Sequence, residues 1–243
     1  MITVGIFCYN EEKNIVNTIV TIKQSLQKAN IINYEILVIN DGSIDGTLHE
    51  IERTIEVDSR IKVKSNFQNL GIAESVKIIA KYSMNETILL VPGDDTYASE
   101  EYLKIIEEYQ KNITIKHLSV IGIREGKDPR GINRTLFSFM ARQLLLLHDF
   151  SRLIIPSYIL IFTTKKHIEL VPLAISGYAQ GIGLFGTILI VRSPIKYVKV
   201  RQLDESGERS KRVQGTDIFN VFRAHLVLYK FRKKIKKKYK GIS

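Results

Sequence analysis

The chain has 243 residues, 44% of them hydrophobic, with a formal net charge of +11, a single cysteine and no tryptophan. That length and apolar content suit one large domain, or a domain with an appendage, around a real core. The lone Cys8 excludes an intrachain disulfide, matches a reducing cytosol and reads as a buried, inert thiol in an apolar strand. No stretch approaches the roughly 20 consecutive apolar residues that a membrane span needs. Residues 175–191 are apolar but interrupted by Gly177, Gly181, Gly183 and Gly186, and 144–147 is parted from 153–162 by His148, Asp149 and Arg152. These segments read as core or as bilayer-surface elements. The N-terminus enters a strand with no basic leader, so no signal peptide is expected.

In chain order, residues 2–8 read as a strand and 11–28 as an amphipathic helix with Ile15, Ile19, Ile22 and Leu26 on one face. A strand at 34–39, a helix at 45–55, a strand at 61–65 and a helix at 72–82 follow. A strand at 87–91, a helix at 99–111 and a strand at 118–123 close this half. The alternation predicts an α/β fold, a mostly parallel sheet flanked by helices. Residues 126–131 form a polar, turn-rich loop; 132–147 reads as helical, 163–170 as a short helix, 197–201 as a strand and 204–212 as a charged loop. Residues 217–238 read as a long terminal helix, apolar first and basic later. The block 229–240 carries Lys230, Arg232, Lys233, Lys234, Lys236, Lys237, Lys238 and Lys240. Such a block suits an anionic membrane surface or nucleic acid. No nucleic-acid motif accompanies it, so an anionic membrane surface is the expected partner.

Two acidic turns each follow an apolar run. Ile36-Leu37-Val38-Ile39 runs into Asn40-Asp41-Gly42-Ser43, and Ile88-Leu89-Leu90-Val91 into Pro92-Gly93-Asp94-Asp95. Short apolar runs bounded by turn residues suit buried parallel strands, and ligands bind at the carboxyl ends of such strands. Asp41, Asp94 and Asp95 are therefore expected on one rim. Carboxylates there suit ribose hydroxyls and a hard metal ion carrying phosphates. The five histidines show no metal-ligand spacing.

Four motifs stand in order: Tyr9-Asn10-Glu11-Glu12, then Asn40-Asp41-Gly42-Ser43 with Asp45-Gly46-Thr47, then Asn69-Leu70-Gly71, then Gly93-Asp94-Asp95. Each alone is an ordinary turn. Together, over residues 1–125, they resemble a family-2 glycosyltransferase of GT-A (Rossmann-like) fold. The resemblance implies a nucleotide-sugar half at 1–125, an acceptor half at 126–215 and an amphipathic, basic helix and tail at 216–243. It implies that Tyr9, Asn10, Glu11, Asp41, Asn69, Gly71 and Asp94 border the nucleotide sugar. Asp95 with Asp94 would hold Mg²⁺ or Mn²⁺ against the diphosphate. Asn10 has an alternative as a helix cap, and Asn69 and Gly71 as loop formers. The chain departs from the family at Gly93, where the usual Asp-x-Asp has a carboxylate, and at Phe7, where a proline is common.

The second half is similar to the polyprenyl-phosphate branch, which includes dolichyl- and undecaprenyl-phosphate sugar transferases. It carries Ile121-Gly122-Ile123-Arg124, then Arg134 and Ser138, then Gly177-Tyr178, then Gly207-Glu208-Arg209-Ser210-Lys211. The resemblance assigns Arg124, Arg134 and Ser210 to the acceptor phosphate, places Ser210 and Lys211 in a loop near the donor phosphates, and makes Arg124 and Lys211 catalytic. It implies inverting transfer of a sugar from a nucleoside-diphosphate sugar to a polyprenyl phosphate, by a peripheral enzyme on the cytoplasmic face of a membrane. The glutamate usual after the Gly-Tyr pair is absent, with Gly183 about there. The rival readings are transfer to a glycan or lipid-linked sugar in cell-envelope polysaccharide assembly, with Asp149 or Asp204 as acid, and a non-catalytic nucleotide-sugar or membrane-binding module.

Overall fold

The apolar runs pair into one seven-stranded sheet in a computed structural model that describes residues 1–125, 160–172, 175, 180–203 and 215–238. The strands are β1 (Ile2–Cys8), β2 (Tyr34–Asn40), β3 (Ile61–Ser65), β4 (Thr87–Pro92), β5 (Ser119–Arg124), β6 (Ile161–Thr164) and β7 (Ile195–Val200), in the order β3-β2-β1-β4-β6-β5-β7. The described helices are α1 (Ile15–Lys28), α2 (Thr47–Val57), α3 (Ile72–Tyr82), α4 (Ser99–Lys111), α5 (Lys165–Glu169), α6 (Gln180–Ile190) and α7 (Gly215–Lys238).

Successive strand residues point to opposite faces, and each face has its own core. Ile6, Val38, Leu89, Val91 and Phe162 pack under Ile15, Ile19, Ile22 and Leu26 of α1 and Tyr102, Ile105 and Ile106 of α4. Ile39, Ile88, Leu90 and Ile121 pack under Val76 and Ile79 of α3, Ile168 of α5, and Leu184, Phe185 and Ile188 of α6. Burial on both faces explains why these strands read as unbroken apolar runs. The exposed edge β3 instead carries Lys62 and Lys64, charges that discourage pairing with another chain.

The parallel expectation holds for β1 with β2 and β4, for β2 with β3 and for β5 with β7. It does not extend to β6, which runs antiparallel between β4 and β5. β6 is four residues long at the end of an apolar run, too short for alternation to mark it. The expected helix at 163–170 is α5, shortened by this strand. α1 begins at Ile15 rather than Glu11, because the intervening backbone is engaged elsewhere, as described below. The apolar stretch near the C-terminal half is core: Gly183, Leu184, Phe185, Gly186, Thr187 and Ile188 of α6 are all buried. The expected helix at 132–147 lies outside the described residues.

β1 sits between β2 and β4, so the connections leaving β1 and β4 run in opposite directions along the sheet. A crevice opens at such a reversal, beyond the carboxyl ends of the strands. The loops after β1, β2, β3 and β4 surround it.

Candidate active site

The loop after β1 is clasped to the loop after β2. The Asn10 amide donates to Ser43 Oγ at 3.0 Å, and Ile44 N donates to Asn10 Oδ1 at 2.9 Å. Glu11 N donates to Thr47 Oγ1 at 2.8 Å and Glu12 N to Asp45 Oδ2 at 3.3 Å, while Gly46 N donates to Glu12 Oε2 at 3.2 Å. Asn10 adopts φ 55°, a left-handed conformation that asparagine tolerates. It therefore does not cap α1; it turns the chain and holds the neighbouring loop. Burial opposes ionisation of Asp45, but its hydrogen bonds from Thr47 and Glu12 outweigh that and hold its carboxyl below the usual range. Tyr9 is half-buried at the strand end, and Glu11 accepts from Asn14 Nδ2 at 2.6 Å.

Asp41 is buried and takes three donors from the loop after β3. Oδ1 accepts from Asn66 Nδ2 at 2.6 Å and Leu70 N at 3.0 Å; Oδ2 accepts from Gly71 N at 2.7 Å. Gly42, at φ 69°, lies flat on that loop: a Cβ there would stand 2.3 Å from the Gln68 carbonyl carbon. Asp41 thus shapes the rim that Asn69 and Gly71 occupy, and Asn69 itself is exposed.

The third wall is the turn after β4. Gly93 N donates to Phe7 O at 2.9 Å, which continues the ladder with β1 one residue past the strand. A Cβ at Gly93 would stand 2.6 Å from Cys8 Cβ and 3.2 Å from Phe7 O. The position where the resemblance expects an acid is therefore filled by β1, and the carboxylates fall to Asp94 and Asp95. Asp95 has φ 53°; its amide donates to Thr18 Oγ1 at 3.0 Å, and its carboxylate accepts from Asn17 Nδ2. Asp94 accepts from Thr96 Oγ1. Both aspartates are half-buried. Beneath them lies Cys8, whose thiol is pushed up to about 12 by burial first and then by Glu11, Asp45 and Asp41, so it is not a nucleophile near neutral pH.

β5 and β7 deliver arginines to the same edge of the sheet. Arg124 ends β5, half-buried and opposite Val200 in the register. Arg201 Nε donates to Glu125 Oε2 at 2.8 Å, a bond that holds Glu125 below the usual carboxylate range, and Arg201 N donates to Glu101 Oε2 at 3.0 Å. Leu203 N then donates to Thr96 O at 2.9 Å, so the chain leaving β7 is stapled to the acidic turn. The structure brings Asp41, Asp94, Asp95 and Arg124 to one edge, with Tyr9, Asn10, Glu11, Asn69 and Gly71 on the flanking loops. Arg134, Ser210, Lys211, Ser138, Asp149, Tyr178 and Asp204 lie outside the described residues. Gly183 is in the core, where a Cβ would meet Ile175 Cγ2 at 2.8 Å, so α6 does not present an acid to the crevice from that position.

The supporting residues Asn17, Thr18, Asn66 and Thr96 escaped sequence reasoning. Asn17 and Thr18 sit inside a helix and Asn66 and Thr96 in ordinary loops, where only the tertiary fold shows what they touch. Among the described residues no three His, Cys, Asp or Glu side chains cluster as a metal site. Two adjacent carboxylates at a strand end fit a hard divalent cation that takes its other oxygens from water and phosphate.

Residues 3–166, more than half of the chain, match the family model described as Glycosyl transferase family 2. The chain belongs to that family. It is 32% identical over 122 residues to an uncharacterized glycosyltransferase of Haemophilus influenzae, covering 50% of this chain and 36% of that protein. It is 28% identical over 133 residues to a dolichyl-phosphate beta-glucosyltransferase of Trichomonas vaginalis, covering 52% of this chain and 41% of that protein. These matches thus span well under half the length of the curated relatives. Glucosyl-3-phosphoglycerate synthase of Mycobacterium tuberculosis, solved with Mn²⁺, UDP and phosphoglyceric acid, shares the fold: TM-score 0.70, 16% identity, 94% of this chain and 78% of that one. The family-2 sheet accounts for the clasped loops and for the rim on which Asp94 and Asp95 stand.

Proposed function

We propose that this family-2 chain transfers a sugar, with inversion, from a nucleoside-diphosphate sugar to a polyprenyl phosphate at the cytoplasmic face of a membrane. The observation that carries the reading is the shared rim: two carboxylates at the end of β4 and an arginine at the end of β5, at the same edge of the sheet. The similarity to a dolichyl-phosphate beta-glucosyltransferase supports this acceptor class. Residues 1–215 would form the catalytic unit and 216–243 the appended basic helix.

Tyr9 and Glu11 would border the base and ribose. Asp41 would hold the Asn69–Gly71 rim against the nucleotide. Asp94 and Asp95 would hold Mg²⁺ or Mn²⁺, which when bound neutralises charge on the departing diphosphate. Arg124 would grip the acceptor phosphate with its planar fork, which stays charged at any working pH. Arg134 and Ser210 would add contacts to it, and Lys211 would face the donor phosphates. A phosphate monoester is already anionic near pH 7, so it attacks the anomeric carbon without a general base. A phosphate oxygen–carbon bond forms as the carbon–diphosphate oxygen bond breaks, and the nucleoside diphosphate leaves with the electron pair. That economy agrees with Gly183 being core. Holding both reactants in line would supply much of the rate.

The test is transfer of radiolabel from a panel of nucleotide sugars, with Mn²⁺ or Mg²⁺, to a polyprenyl phosphate. Acid-labile label in the lipid is expected, falling by about 10²–10³-fold in Asp95→Ala and in Arg124→Ala. Label that enters a glycan instead, or donor binding with no transfer to any acceptor, overturns the reading.

A further inference from the structure

The long helix α7 has two apolar faces, and the fold uses one. Ala224, His225 and Leu228 are buried, and Leu228 seats on Gly186 of α6, where a Cβ would come within 2.6 Å of its Cδ1. On the opposite side stand Phe219 at 67%, Phe222 at 46%, Leu226 at 64% and Tyr229 at 43% exposure. Their spacing of three, four and three residues lines them in a single stripe along a helix. Lys233 continues the stripe, its ammonium 4.5 Å from the centre of the Tyr229 ring. Arg223, Lys230 and Lys234 are exposed along its flank. A single exposed apolar residue is ordinary, but four aligned ones, three of them aromatic, make a patch.

We infer that this outer stripe of α7 lies in the plane of an anionic lipid surface, with Phe219, Phe222, Leu226 and Tyr229 in the headgroup–acyl boundary and the flanking cations at the headgroups.

Charge decides the occupant. From Ile218 to Lys238 the sequence has no carboxylate and carries eight lysines and arginines. A second copy laid on it would bring like charges together. A lipid surface supplies apolar depth and negative charge at once, and Lys and Arg stems bury along apolar surface while their heads stay wet. No described helix is long and apolar enough to cross a membrane, so the helix lies on the surface rather than through it. Because α7 docks on α6, and α6 packs on the sheet, such a helix would set the whole sheet at a fixed attitude to the bilayer.

The inference deepens the membrane element of the proposed function and is independent of its chemistry. Transfer to a short, water-soluble polyprenyl phosphate reads the chemistry with no bilayer present. The test is flotation of the full chain with phosphatidylcholine vesicles, with and without phosphatidylglycerol. Binding is expected only with the anionic lipid, and Phe222→Gln with Leu226→Gln should lower the partition by at least about tenfold. Both side chains are exposed, so circular dichroism should be unchanged. The chain has no tryptophan, so Phe222→Trp is a unique reporter whose emission should move blue on anionic vesicles. Emission unmoved and no flotation overturn the inference. So does a concentration-dependent dimer that the same double substitution abolishes, which would assign the stripe to a second copy.

Discussion

Asp41 illustrates how one carboxylate shapes the rim of a crevice. Its two oxygens gather Asn66, Leu70 and Gly71 from a different loop. In Asp41→Asn, one amide N–H group would face the Gly71 N–H, leaving a buried donor without an acceptor. That costs roughly 1–3 kcal/mol. Hydrogen exchange at Leu70 and Gly71 should accelerate, and the nucleotide KM should rise. Unchanged exchange at both amides would show that the loop stands without Asp41. Gly93 teaches the reverse lesson, since what matters is the side chain it lacks. Gly93→Ala forces a Cβ against Cys8 Cβ and Phe7 O, neither of them a flexible chain end. The expected loss is roughly 1–3 kcal/mol in urea unfolding. Gly93→Asp, which restores the family's usual acid, should for the same reason lower transfer rather than raise it.

Between elements, His167 ties four segments together. Its Nδ1 meets Thr163 Oγ1 of β6 at 2.9 Å and Ser119 Oγ of β5 at 3.3 Å, and its Nε2 meets Ser193 Oγ, in the turn after α6, at 2.6 Å. Burial first, then the neighbouring His117 and Lys166, push its pKa down from 6.5 to about 4. A histidine whose folded value is depressed opposes protonation in the folded state only. Its contribution is therefore intact above pH 6.5 and is lost as pH falls from there toward about 4. Urea midpoints should decline across that window, and His167→Gln should flatten the decline. A wild-type midpoint that is level from pH 7 to 4 would contradict the assignment. The same reasoning by packing explains α6: Gly183 and Gly186, which read as interruptions of an apolar segment, are the points where Ile175 and Leu228 approach its backbone.

At the scale of the molecule, a net charge of +11 works against the compact state through self-repulsion. The Tm should therefore rise by a few degrees as NaCl is raised from low ionic strength to about 0.15 M, where the Debye length shrinks to about 8 Å. A Tm indifferent to salt would mean that the basic end is too well solvated to strain the fold. Because that charge is concentrated beyond Tyr229, the same salt should weaken adsorption to anionic vesicles while it steadies the sheet.

Some of this protein follows from local order along the chain. Strands β1 to β5 and helices α1 to α4 are legible because each apolar run or helical stripe is complete within a few residues and bounded by turn residues. The order of the acidic turns likewise placed Asp41, Asp94 and Asp95 on one rim, since strand ends in a parallel sheet point one way. What the chain order leaves open concerns pairs of distant residues. The antiparallel insertion of β6 depends on vacant hydrogen-bonding edges of β4 and β5, which no local pattern records. That Gly93 is closed by Cys8, that Asn10 turns the chain instead of capping a helix, and that Asn17 and Thr18 hold Asp95 are likewise contacts between separate segments. The two faces of α7 show the division most plainly. The sequence specifies apolar residues around most of that helix, and only its docking on Gly186 decides which of them are core and which remain on the surface.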